Sequence, residues 1–137
     1  MTNPQLNFDH IHYRYKNLKT TRHFYVEIME AIELSPEFLG GVAHQHYVLG
    51  GVNLLFAPAG DDPKPAVPAT ERRGIYHIAF LVEDCDAATE YYSKRGAEVA
   101  KEPFQATDNI RASFLQAPDG MWVELKQILP TPPAPAQ

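Results

Sequence analysis

Cysteine is almost absent from this 137-residue chain: Cys85 stands alone. No internal disulfide can form, which makes a reducing compartment, the cytoplasm, the expected setting. Basic residues are also scarce, 12 Lys and Arg against 17 Asp and Glu, for a formal net charge of −5. That balance argues against a broad basic face for nucleic acid or for an anionic membrane. No apolar run approaches the roughly 20 residues of a bilayer span, and the opening MTNPQLNFDHIHYRY holds no apolar core of signal-peptide length. GxGxxG, P-loop and CxxC spacings are missing too, which removes the usual motif grounds for dinucleotide, nucleotide or dithiol chemistry. What is present is ordinary globular composition, 45% hydrophobic and 21% charged. A chain this long buries roughly two-thirds of its unfolded surface without covalent staples.

The prolines punctuate the chain. Four of the twelve fall within Pro130–Gln137, and another cluster occupies Pro58–Pro68. Residues before proline leave the helical region, so the second cluster reads as a connection. The expected organisation is one domain over residues 1–128: a first module at about 7–58, a linker at about 59–73 and a second module at about 74–128. A Pro-rich tail, 129–137, follows.

The two modules repeat. Asp9-His10-Ile11-His12-Tyr13-Arg14-Tyr15 aligns with Tyr76-His77-Ile78-Ala79-Phe80-Leu81-Val82, and the same offset carries Phe24-Tyr25 onto Tyr91-Tyr92. Each copy opens with strand-type alternation, Ile11/Tyr13/Tyr15 and Ile78/Phe80/Val82. Each then passes into a helical pattern: Leu18, Thr21, Tyr25, Ile28 and Met29 in one, Ala87, Ala88, Tyr91 and Tyr92 in the other. Hairpin signals follow, around Gly50-Gly51 and Pro118-Asp119-Gly120. Each half therefore reads β-α-β-β-β, an α+β fold of two tandem modules. A helix covers one face of each sheet and leaves the other to be covered.

Residues two apart in a strand share a face. His10, His12 and Arg14 therefore point away from the helix, as do His77, Ala79 and Leu81. On the last strand Trp122, Glu124 and Lys126 share a face. Imidazoles and a carboxylate with open positions suit a divalent metal: Fe, Mn, Ni, Co or Zn.

The duplicated unit, with DHI…FY, HIAF-V-D and PDG-WVEL, resembles the vicinal oxygen chelate superfamily of glyoxalase I, methylmalonyl-CoA epimerase, fosfomycin-resistance proteins, extradiol dioxygenases and bleomycin-binding proteins. The resemblance covers about residues 7–128. It implies a cup-shaped, partly closed mixed sheet and metal positions on the first and last strand of each half, here His10, Leu54, His77 and Glu124. Leucine cannot coordinate, so the expectation is one metal per site held by His10, His77 and Glu124.

Further roles follow from position and from the resemblance. His12 and Glu124 are the candidate catalytic residues, His12 as an acid/base beside the metal. Arg14 sits where glyoxalase I also has an arginine and suits a substrate anion. His44 falls near the place of the epimerase's catalytic Glu. Phe114, where extradiol enzymes carry a tyrosine, and Trp122 complete the candidate substrate-binding set, with segments Phe38–Ala43 and Pro103–Ile110 expected as cavity-shaping loops. The resemblance implies a metal-dependent enzyme that chelates neighbouring oxygens of a small substrate for isomerase or lyase proton transfer. The alternatives are an Fe(II) dioxygenase of extradiol type and a small-molecule, antibiotic-sequestering protein. The expected partners are a small-molecule substrate and a second copy in a homodimer.

Overall fold

The structure, a computed structural model, describes residues 4–61 and 64–130. All but the first two residues of the expected Pro-rich tail lie outside these. The chain divides into two compact units, Met1–Asp62 and Pro63–Gln137.

In unit 1, β1 (Ile11–Tyr15) leads into α1 (Leu18–Arg22), which continues as a π-helical stretch, His23–Ile28. Strands β2 (Ile32–Leu39), β3 (Val42–Leu49) and β4 (Val52–Pro58) follow. The sheet order is β1-β4-β3-β2, with β1 parallel to β4 and the other pairs antiparallel. Unit 2 repeats the plan: β5 (His77–Leu81), α2 (Cys85–Lys94), β6 (Glu98–Thr107), β7 (Ile110–Gln116) and β8 (Trp122–Ile128), in the order β5-β8-β7-β6. The duplicated β-α-β-β-β reading holds, and each unit is an open four-stranded mixed sheet.

Local chemistry explains the elements. A parallel β1/β4 pair requires a crossover, which the helix supplies. Asn17 caps α1 by accepting from the Thr20 N–H at 3.0 Å, and Asp84 caps α2 by accepting from Ala87 N–H at 3.0 Å. Gly40-Gly41 and Gly50-Gly51 all have positive φ, the requirement of two-residue hairpin turns that match strand twist. Phe38–Ala43 is therefore a tight turn between β2 and β3, and Pro103–Ile110 lies mostly in β6, so neither is the expected loop. Pro36 and Pro103 hid these strands. Both sit on edge strands, where a missing N–H is tolerated, and both ladders shift register there, between Leu34 and Glu37 and between Lys101 and Phe104.

The core of each unit lies under its helix. In unit 1 Phe56 is the hub: Tyr13 stacks on it at 4.9 Å, and Tyr25 and Tyr47 approach at 4.9 and 5.3 Å. Leu54, Phe24 and Ile28 are buried with them. In unit 2 Leu115, Val123 and Leu125 are buried, as is the start of α2. There Thr89 Oγ1 lies 2.6 Å from the Cys85 carbonyl and 2.7 Å from Ser113 Oγ, and Cys85 Sγ lies 3.5 Å from the Leu125 carbonyl. These polar atoms are buried with partners, as a core requires.

Candidate functional site

The sheet face opposite the helix carries the polar residues in both units. In β1 exposure alternates: Ile11, Tyr13 and Tyr15 are partly covered, while His12 and Arg14 are exposed. The register sets Ile11 opposite Leu54 and His12 opposite Leu55, and β3 sets His46 opposite Leu55 on the other side. In unit 2 Glu124 lies opposite Ala79, two residues after His77. The equivalent place in unit 1, two residues after His10, is opposite His12 and is Leu55. This corrects the assignment to Leu54, which is fully buried on the helix face. Leucine occupies both positions, so the unit 1 carboxylate remains missing.

Local hydrogen bonds fix the tautomers of the unit 1 histidines. Asp9 Oδ2 lies 2.6 Å from His10 Nδ1, which places the proton on Nδ1 and leaves the Nε2 lone pair free. His44 Nδ1 donates to the Val42 carbonyl at 2.9 Å, which likewise leaves Nε2 as an acceptor. The His44 ring stands 5.2 Å from that of His12, and His10 stands 6.5 Å from His12 on the other side. Desolvation by the surrounding atoms lowers the His12 pKa below its ordinary 6.5, and any positive charge on His44 or His10, together with that of Arg14, lowers it further. His12 is therefore neutral at neutral pH.

His46 and Asn53, which the sequence reading passed over, join this face. They line a cavity of about 170 Å³ together with Asp9, His10, Glu37 and Leu55. The signal was in the hairpin: a two-residue turn at Gly50-Gly51 fixes the pairing of β3 with β4 and brings His46 beside Leu55 and near Asn53.

In unit 2 His77 and Glu124 meet. His77 Nε2 lies 3.5 Å from Glu124 Oε2, too far for a good hydrogen bond, and the buried Nδ1 has no partner. Two donors each about 2.1 Å from one metal ion and about 110° apart would stand about 3.4 Å from each other. The pair therefore fits two positions on a divalent ion. Phe114 packs on the His77 ring at 5.3 Å and on Trp122 at 5.0 Å. Trp122 Nε1 donates to Gln116 Oε1 at 3.1 Å, which fixes the indole beside Glu124. Among the described residues no group of three or more His, Cys, Asp or Glu is assembled that could hold a metal ion. No described helix is long and apolar enough to cross a membrane.

Comparison with known proteins places this architecture. The model of the Glyoxalase/Bleomycin resistance protein/Dioxygenase superfamily matches residues 7–125. A lactoylglutathione lyase from Pseudomonas aeruginosa is 31% identical over 88 residues, which is 61% of this chain and 49% of that protein. The chain thus aligns with about half the length of that relative. The genomically encoded fosfomycin resistance protein FosX from Listeria monocytogenes has a TM-score of 0.68 at 21% identity, covering 90% of this chain and 94% of that one. Another structure of it, complexed with Mn(II) and sulfate ion, gives 0.62 at 19% identity over 88% and 91%. A glyoxylase/bleomycin resistance protein/dioxygenase domain from Frankia sp. EAN1pec gives 0.72 at 19% identity over 91% and 93%. At these identities the structures establish the fold alone. With the family model spanning both halves of the repeat, the chain belongs to the glyoxalase/bleomycin resistance protein/dioxygenase superfamily.

Proposed function

We propose that this chain is a divalent-metal-dependent enzyme that binds two neighbouring oxygens of a small substrate and moves a proton beside them, chemistry of the isomerase or lyase type. One observation carries this reading: His77 Nε2 and Glu124 Oε2 stand 3.5 Å apart beside an aromatic wall, the spacing of two ligands on one ion. By the plan of the superfamily, the third donor we propose is His10, whose Asp9 contact leaves Nε2 free to ligate. When bound, the metal supplies Lewis-acid stabilisation of the oxyanion that develops next to the labile proton.

The chain's own residues do the rest. His12, neutral near pH 7, accepts or returns the proton, with His44 beside it. Arg14 binds an anionic substituent, and Phe114 with Trp122 holds the substrate's apolar part. The relative named for lactoylglutathione supports a substrate with adjacent oxygens, and the Mn(II) complex of the fosfomycin resistance protein supports a metal in this fold. The proposed form is a cytoplasmic homodimer. The exposed apolar residues Ile32, Phe38, Leu39 and Val42 along β2 and the turn after it support a second copy on that edge.

The test is elemental analysis of untagged protein, followed by anaerobic titration with Fe(II), Mn(II), Ni(II), Co(II) and Zn(II). The expected result is one metal per chain, lost in His77→Ala and in Glu124→Ala. In deuterated water the loaded protein should also exchange the carbon-bound proton of small 2-oxo or 2-hydroxycarbonyl compounds. If both variants bind metal like the parent, the site is wrong. If the parent binds none, the chain is a small-molecule binder on the same scaffold.

A further inference from the structure

The cavity beside His10 contains a hydrogen-bonded chain that fixes the state of His46. The Asp9 carbonyl can only accept, so Asn53 presents its amide Nδ2 to it, at 3.3 Å. The Asn53 Oδ1 must then face His46, whose Nε2 lies 2.9 Å away. Nε2 therefore carries the proton of the neutral ring, and the lone pair sits on Nδ1. Nδ1 in turn faces Glu37, with Oε1 at 3.9 Å. The His46 side chain is only 18% exposed, whereas Glu37 is half exposed.

This arrangement is that of a proton acceptor. One nitrogen is committed to an amide that holds the tautomer, and the other is an open lone pair with a carboxylate beside it to stabilise the imidazolium. Across the sheet, His12 and His46 flank Leu55 at the same level. The cavity of about 170 Å³ lies on the His46 side of Leu55, bounded also by His10 and Glu37.

We propose that His46 is a second proton-transfer residue of this site, with Asn53 and Glu37 as its positioning residues. The inference rests on the proton-transfer reading above. In the step, the substrate's carbon–hydrogen bond breaks and the proton passes to His46 Nδ1. Its electron pair stays on the substrate as the oxyanion, and the proton returns to the neighbouring carbon while the hydroxyl proton of the first carbon passes to the second oxygen. The ring ends neutral, and the first carbon is oxidised as its neighbour is reduced, with no net redox change.

The test has two readouts. In ¹⁵N NMR of the metal-free protein, His46 should show the Nε2–H tautomer, and Asn53→Leu should mix the tautomers. In the deuterium-exchange assay with Mn(II)-loaded protein, His46→Gln should slow exchange by about 100-fold, the scale of acid–base catalysis. Glu37→Gln should slow it less, and Glu37→Asp should restore it, with metal content unchanged in all three. An Nδ1–H tautomer, or exchange in His46→Gln at the parent's rate, overturns the proposal while leaving the metal site intact. A parent that binds metal but exchanges no substrate proton overturns both readings of the chemistry. Because Glu37 is at the surface, its variants decide the question even where His46→Gln fails to fold.

Discussion

Leu54 and Leu55 are chemically identical neighbours that lie on opposite faces of β4, so the same substitution should have opposite consequences. Leu54→Glu drives a carboxylate into the aromatic core around Phe56, where desolvation costs several kcal/mol. Leu55→Glu puts it beside His12, at the place that Glu124 holds in unit 2. We expect Leu54→Glu to be largely unfolded by circular dichroism. Leu55→Glu should stay folded and, on the proposed metal site, tighten metal binding roughly tenfold, equivalent to ~1.4 kcal/mol. A stable Leu54→Glu, or a Leu55→Glu with the parent's affinity, would contradict the register. The sequence could not separate the two because Leu54-Leu55-Phe56-Ala57 is a continuous apolar run without alternation, and a slip of one residue exchanges the faces. In β1, by contrast, His10, His12 and Arg14 alternate with Ile11, Tyr13 and Tyr15, and their faces were legible at once.

At the scale of elements, each helix is tied to its sheet by an ion pair as well as by its apolar side. Arg22 pairs with Glu33 of β2 through Nε and Nη2, at 2.7 and 3.0 Å. Arg111 of β7 grips Asp86 of α2 in the same two-pronged way. The hydrogen bond from Arg111 holds the Asp86 pKa below its ordinary 3.8. Its contribution to stability is therefore present above pH 3.8 and is lost as the pH falls through the depressed folded value. Urea unfolding of parent and Asp86→Asn should show a gap that is constant from pH 7 to 5 and closes below about pH 3.8. A gap that persists unchanged at pH 2 would remove the ion pair as its cause. None of these pairings could be read from the chain, since each joins residues 11 or 25 positions apart through a tertiary contact. The strands β2 and β6 were illegible for another reason: Pro36 and Pro103 break the alternation that marks a strand, and only an edge position tolerates them.

At the scale of the whole molecule the duplication was the most legible feature, because His10 and His77 open matching strands and the helix patterns follow in step. Each unit then builds a helix-covered face and a polar face from the same order of elements. The units differ in one respect with practical use. The single thiol, Cys85, is fully buried at the start of α2, in unit 2 alone. A sulfhydryl reagent can reach it only while that unit is open, so its labelling rate is a clock for the opening of one half of the protein. Strand β8, whose Leu125 carbonyl faces the thiol, carries Glu124, and β5, paired with β8, carries His77. If opening releases the metal, a concentration 100 times the dissociation constant should slow labelling about 100-fold, and Glu124→Ala should abolish that protection. The only cysteine, buried and outside the proposed ligand set, would thus report occupancy of a centre to which it contributes no atom.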